Sequence, residues 1–230
     1  MRRRISFAIS EAKMENQFSM AIVGGTGSLG SALALRLAAP GVKVIIGSRD
    51  AQRAQTAVET LMPKMRAGEL TGATNQGAVK QAEFVVIAVP YEGQAQIVQD
   101  LKGRLAGKIV IDAVVPLKKG KPFIPSAGSA LLEAQGILGD EAPVIGALHN
   151  ISAVDLSDVD SHLGDVLVCG DNEEAKRKVM EIIRRIGARA FDGGPSTNAY
   201  VIEGLTGVII HLNRKHKSKH GSIKVVGLGD

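Results

Sequence analysis

Two groups of small and cationic residues in the first quarter of the chain have the types and spacing to hold a dinucleotide. Gly25, Gly27 and Gly30 fit G-x-G-x-x-G within "GGTGSLG". The apolar run "MAIVG" precedes them and the Ala/Leu-rich "LGSALALRLAAP" follows. The pattern therefore falls between an expected strand and an expected helix, the context that gives it meaning. Gly25 permits the tight turn, Gly27 lets the backbone approach a pyrophosphate, and Gly30 lets the helix pack on the strand. Free N–H groups at the helix start face the phosphates, and Thr26 and Ser28 add hydroxyls.

The second group, "GSRD", ends the next expected strand. NAD sites carry an acid there to bind the adenosine ribose. This chain has Ser48 and Arg49 instead, with Arg53 one helical turn further on. A carboxylate would repel a 2′-phosphate, whereas a hydroxyl and two guanidinium groups receive it. Each charge-assisted hydrogen bond contributes roughly 1.5–3 kcal/mol, so the expected cofactor is NADP rather than NAD. Asp50 precedes the helical stretch "AQRAQTAVETL" and is expected to cap it, turned away from the cofactor.

No acid–base pair stands out elsewhere. His149, after "VIGAL", is the one ionisable candidate at a strand end, either orienting a ligand or capping the strand. The single cysteine, Cys169, can form neither an internal disulfide nor a cysteine-based metal site. It ends the apolar run "DVLVCG" and is expected to be buried. No metal site is expected.

The elements that must position these residues follow from hydrophobic patterning. "MAIVG", "VKVIIG", "FVVIAVP", "KIVIDAVVP", "VIGAL", "DVLVCG" and "ARAFD" are continuous apolar runs, as in strands buried on both faces. Helical stretches lie between them. "DNEEAKRKVMEIIRRIG" has acids in its first turn, bases in its last and Gly187 at its end, as the helix dipole favours. The expected fold is α/β: a Rossmann-type, doubly wound, mostly parallel sheet with a small C-terminal helical segment. The expected division is a flexible extension over 1–19, a dinucleotide-binding domain over 20–154, and a smaller part over 155–230. That part completes the sheet and the second-substrate pocket. "PSTNAYVIEGLTGVIIHLNRKHK" reads as one long helix, apolar on more than one side, which suggests burial against a second copy in a homodimer. "GSIKVVG" is expected to form a last short strand.

Composition narrows the function classes. The 230 residues are 45% hydrophobic, 22% charged and only 3% aromatic, with a net charge of +5. Few aromatics weaken a reading as a single-stranded nucleic-acid binder. The bases gather at Arg2, Arg3 and Arg4, at Lys118, Lys119 and Lys121, and from Arg214 to His220. Such clusters attract nucleic acid, phosphate-bearing cofactors or acidic surfaces. The N-terminal apolar stretch is too short for a secretory signal, and no run is long enough to span a membrane. A cytoplasmic protein is expected.

Together "GGTGSLG", "GSR", "IAVPYE", "ALHNI", "LVCGDNEEAKRKVMEII" and "FDGGPSTNAYVIEGLTGVII" resemble the NADPH-dependent reductases of the 5-deazaflavin coenzyme F420. The resemblance implies hydride transfer between NADP(H) and coenzyme F420, the second substrate, in a shared cleft. It implies Thr26, Ser28 and Leu29 at the pyrophosphate, Ser48, Arg49 and Arg53 at the 2′-phosphate, and Val89 and Pro90 near the nicotinamide ribose. Val115, Pro116, His149, Asn150, Ile151, Leu205 and Thr206 are implied at the deazaflavin. The phosphate and glutamates of that coenzyme make Lys118, Lys119 and Lys121 candidates to attract its tail. Direct transfer between two ring carbons needs alignment rather than a catalytic acid or base. Reduction of another acceptor (a ferric chelate, a flavin or an imine) and a non-catalytic NADP sensor are the alternatives.

Overall fold

The computed structural model describes residues 18–38 and 42–228. The expected N-terminal extension lies outside the described residues but for its last two.

Six parallel strands form the central sheet: β1 (Ser19–Val23), β2 (Lys43–Ser48), β3 (Glu69–Thr74), β4 (Phe84–Ile87), β5 (Ile109–Asp112) and β8 (Val144–Gly146). Their order is β3-β2-β1-β4-β5-β8. The order reverses beside β1, which opens a crevice outside the strand C-termini, the general ligand site of such sheets.

Strand periodicity explains the layers. Met20 and Ile22 of β1 join one core with α1 (Ser28–Ala38), α2 (Ala51–Leu61), α6 (Ala153–Ser157) and α7 (Glu173–Arg185). Ala21 and Val23 point the other way, into a core with α3 (Asn75–Lys80), α4 (Tyr91–Leu105), α5 (Ala130–Leu138) and the start of α8 (Ala199–Lys215). Both faces are covered, so β1 needs an unbroken apolar run. The later strands β9 (Val166–Val168) and β10 (Ala190–Asp192) form a separate parallel pair. They meet the main sheet through one antiparallel bridge, Gly146 with Cys169. Cys169 is fully buried, as expected.

The structure differs from the sequence reading at both ends of the polarity range. β3, "ELTGAT", was not expected, because only Leu70 in it is buried. It is an edge strand whose Gly72 lets α2 approach: a Cβ there would lie 2.8 Å from the carbonyl carbon of Ala54. Conversely, "GSIKVVG" forms no strand. The Asp165 N–H donates to the Ile223 carbonyl at 3.0 Å, but its carboxylate takes the Val225 N–H that a ladder would need. The last helix begins as a 3₁₀ turn over Ser196–Asn198 before α8. β6 (Leu117–Lys118) and β7 (Lys121–Pro122) add a small antiparallel hairpin after β5.

Candidate functional site

The glycine loop joins β1 to α1. Its left-handed residue is Gly24, with φ +80°, rather than Gly25. Gly25 instead passes close to β2, and its N–H donates to the carbonyls of Ile22 and Gly47 at 3.1 and 3.0 Å. Gly30 meets Gly24 so closely that a Cβ would lie 2.5 Å from its carbonyl oxygen. At Gly27 a Cβ would touch only the Gly24 carbonyl, at 3.4 Å, so this residue faces open space. The Ser31 N–H makes the first helical bond, to Gly27 at 2.8 Å. The N–H groups of Ser28, Leu29 and Gly30 are therefore left without carbonyl partners inside the helix.

A cleft of about 380 Å³ opens over this loop. Thr26, Gly27, Ser48, Arg49, Arg53, Val89 and Pro90 line it together, seven of the residues singled out from sequence. Gly25, Ser28, Leu29 and Gly30 are not on its lining; they form the turn and helix start beneath. Arg49 and Arg53 are exposed. Asp50 turns away and accepts the Gln52 N–H at 2.8 Å as the cap of α2. The cleft continues into a second lobe of about 280 Å³ between Ser48, Arg49, Thr74, Asn75, Gln76 and Ile97.

Asn75 was missed by sequence reasoning, because no motif flags it. It is buried, and its Oδ1 has no hydrogen-bond partner. A Cβ on Gly47 would sit 2.8 Å from that oxygen, so Gly47 makes room for it. A buried acceptor without a donor is costly, and here it borders a cleft that can bring one.

The other candidates gather around the end of β8. Leu148 is left-handed, with φ +69°, and turns the chain so that His149 points inward. The His149 ring is buried, and neither nitrogen has a partner. Burial pushes its pKa down to about 4, so the ring is neutral at pH 7. Its backbone is tied to α8: Thr206 Oγ1 lies 2.9 Å from the His149 carbonyl oxygen and 3.1 Å from Asn150 Oδ1. The single hydroxyl proton serves one of these acceptors at a time. Asn150, Ile151 and Pro116 are buried, while Val115, Leu205 and Thr206 are half-buried. The structure thus joins His149, Asn150 and Thr206 directly. None of the seven lines the cleft over the glycine loop.

Two buried carboxyls brace this second region. Glu203 accepts the N–H groups of Ala130 and Leu131 at 3.0 and 3.1 Å, which caps α5 and anchors α8. Asp112, at the end of β5, accepts from Gln94 at 2.7 Å and from the Val114 N–H at 2.9 Å. Burial pushes Asp112 up to about 7 and Glu203 up to about 8. The sequence did hold a signal for both: each is the one charge in an apolar run, "IVIDAVV" and "AYVIEGLTGVII".

Comparison with known proteins gives a consistent answer. The family model described as "NADP oxidoreductase coenzyme F420-dependent" matches residues 19–116. The F420-dependent NADP reductase of Methanocaldococcus jannaschii is 37% identical, over 91% of this chain and 98% of that protein. The enzyme of the same name from Methanothermobacter marburgensis is 36% identical, with 91% and 98% covered. Among solved structures, a hypothetical protein SMa0349 from Sinorhizobium meliloti superposes with a TM-score of 0.68 at 23% identity, over 85% of this chain and 91% of that one. That likeness shows the fold alone.

Proposed function

The chain belongs to the family of coenzyme F420-dependent NADP oxidoreductases, and we infer that it moves a hydride directly between NADP(H) and coenzyme F420. The observation that carries this is the contrast between an open cationic cleft and a buried imidazole with two unpartnered nitrogens.

The residues present fit a phosphorylated dinucleotide. A Cβ at Gly27 would fill the space a pyrophosphate needs, and the N–H groups of Ser28 and Leu29 would meet its oxygens. Ser48, Arg49 and Arg53 would receive the 2′-phosphate. Val89 and Pro90 would bound the nicotinamide ribose. The two bound rings supply the hydride donor and acceptor; the chain's task is alignment at about 3–3.5 Å. Val115, Pro116 and Leu205 would form the apolar wall against the deazaflavin. Neutral His149, held by Thr206, would give or accept one hydrogen bond to that ring and hold it in register. No side chain has to take a proton for the transfer to proceed.

The test is isotopic. NADPH deuterated at the transferring position should pass its label to the deazaflavin and not to water. Label in the solvent would overturn direct transfer. A series of acceptors run beside it, including a ferric chelate, a free flavin and an imine, separates the F420 reading from its alternatives.

We further propose a homodimer through α8. Tyr200, Val201, Val208 and Leu212 are each about half exposed on one side of this helix, an apolar strip that a second copy would cover. Light scattering at micromolar concentration should give twice the chain mass; a monomer would refute the dimer. An enzyme drawing on the NADPH pool works where that pool lies, and we place it in the cytoplasm.

A further inference from the structure

The β6–β7 hairpin and the end of α8 are some ninety residues apart in sequence, yet they touch. A Cβ on Gly120, in the hairpin turn, would lie 2.8 Å from Arg214 Nη2. One on Gly207 of α8 would lie 2.4 Å from Pro122 Cγ, so the helix rides on β7. Two basic clusters thereby become one surface: Lys118, Lys119 and Lys121 with Arg214, Lys215 and Lys217. All six are exposed. None forms a salt bridge among the described residues. Like charges gathered without counter-charges repel one another.

The backbone makes the same surface costlier still. Among the described residues, three non-glycine positions are left-handed, and two of them are Lys119 and Lys217. Lys119 and Gly120 are the two central residues of the hairpin turn, with φ +52° and +73°. Asn or Gly is the favoured first residue of such a turn. Lys217 follows the cap of α8, where its N–H meets the Arg214 carbonyl and the Ser218 N–H meets the Asn213 carbonyl. This is the Schellman arrangement, whose left-handed residue is usually Gly and sometimes Asn. Two strained positions that would be easier without a lysine both carry one, on one surface, beside unpaired cations. Strain of this kind points to function.

We infer that this composite surface binds a flexible chain of carboxylates or phosphates that extends from the second substrate; the inference rests on the second-substrate reading above. The hairpin begins one residue after Pro116 and folds back on it, with the Phe123 N–H donating to the Pro116 carbonyl at 3.2 Å. Thr206, beside His149, is eight residues before Arg214 on the same helix, which is about 12 Å along the axis. An extension of that reach links the ring pocket to the cations. Five of the six cations are lysines, hydrated point charges that suit a mobile polyanion better than one fixed planar group. Single-stranded nucleic acid would need a series of stacking aromatics. Here Phe123 is the exposed aromatic of the hairpin, and its ring already packs edge-on against Tyr91 at 5.3 Å.

Lys119→Asn with Lys217→Asn tests this without endangering the fold, because Asn tolerates the left-handed region. The double variant should melt no lower than the parent. It should raise the KM for coenzyme F420 about three- to tenfold relative to its KM for the deazaflavin fragment lacking phosphate and glutamates. Added salt should raise the F420 KM of the parent and flatten the difference from the variant. An unchanged ratio of the two KM values would overturn the surface and leave the reaction standing. No turnover of either acceptor would overturn the reaction instead. Titration of parent and variant with a glutamate oligomer alone then still decides the surface: equal binding by both, or tighter binding of a single-stranded oligonucleotide, would refute it.

Discussion

The two halves of the ligand region are built on opposite principles. The half over β1 and β2 is open, lined by exposed cations above a helix start with free N–H groups, and one buried acceptor, Asn75 Oδ1, lies unpaired at its border. The half at the end of β8 is closed around His149, whose ring nitrogens have no partner. One half presents exposed cations at an open cleft, the other encloses a whole imidazole with neither nitrogen paired. Loss of a group in the open half should therefore cost binding and spare stability. In the closed half, stability and ligand response should move together.

The largest expected effect tests the open half. Gly27→Val should weaken NADPH binding about 100-fold or more while the melting temperature changes little, since a Cβ there meets only one carbonyl at 3.4 Å. Gly30→Val should instead unfold the loop, since it drives a side chain into the Gly24 carbonyl at 2.5 Å. Calorimetric titration and thermal melts of both variants separate the two roles. Equal melting temperatures would break the distinction between cradle and packing glycines.

Arg49→Ala comes next. Its loss should raise the KM for NADPH about 10- to 100-fold, the worth of one charge-assisted bond, and leave that for NADH nearly unchanged. An equal rise for both cofactors would make Arg49 a structural residue.

The smallest effect sharpens the closed half. His149 has a pKa of about 4 when folded, against about 6.5 unfolded. A depressed folded value means that its stabilisation is present above about pH 6.5 and is lost as the pH falls toward 4. Asp112 and Glu203 have raised values and act in the opposite sense, gaining as pH falls. They do so equally in the parent and in His149→Gln, so they cancel in the comparison. Between pH 7 and pH 5 the parent should lose about 2 kcal/mol relative to the variant. Denaturant titrations at the two pH values measure this; parallel losses would mean that the ring is charged or solvated in the fold.

How much of this was legible beforehand differs by region, for a physical reason. The glycine loop, Ser48, Arg49 and Arg53 sit within one βαβ unit, where local geometry fixes their relation. Local spacing was enough to read them, and the structure brings them to one cleft. Asn75 escaped notice because its place depends on β3 pairing with β2, and β3 has too little apolar patterning to announce itself. Asn150 and Thr206 were named through family resemblance, and His149 both through it and from its place at a strand end, but their mutual contact spans more than fifty residues and no local rule supplies it.

The sequence by itself determined the strand–helix alternation, the parallel sheet, the glycine loop and the cationic end of β2. Each of these is governed by periodicity, or by backbone needs within a few residues. Only the tertiary structure decided that Glu203 caps a helix seventy residues away, that His149 is buried with neither ring nitrogen paired, and that the hairpin and the end of α8 merge their charges. Those outcomes depend on how α8 packs across α5 and β7. That packing is set by the summed burial of many side chains, which no short stretch of sequence records.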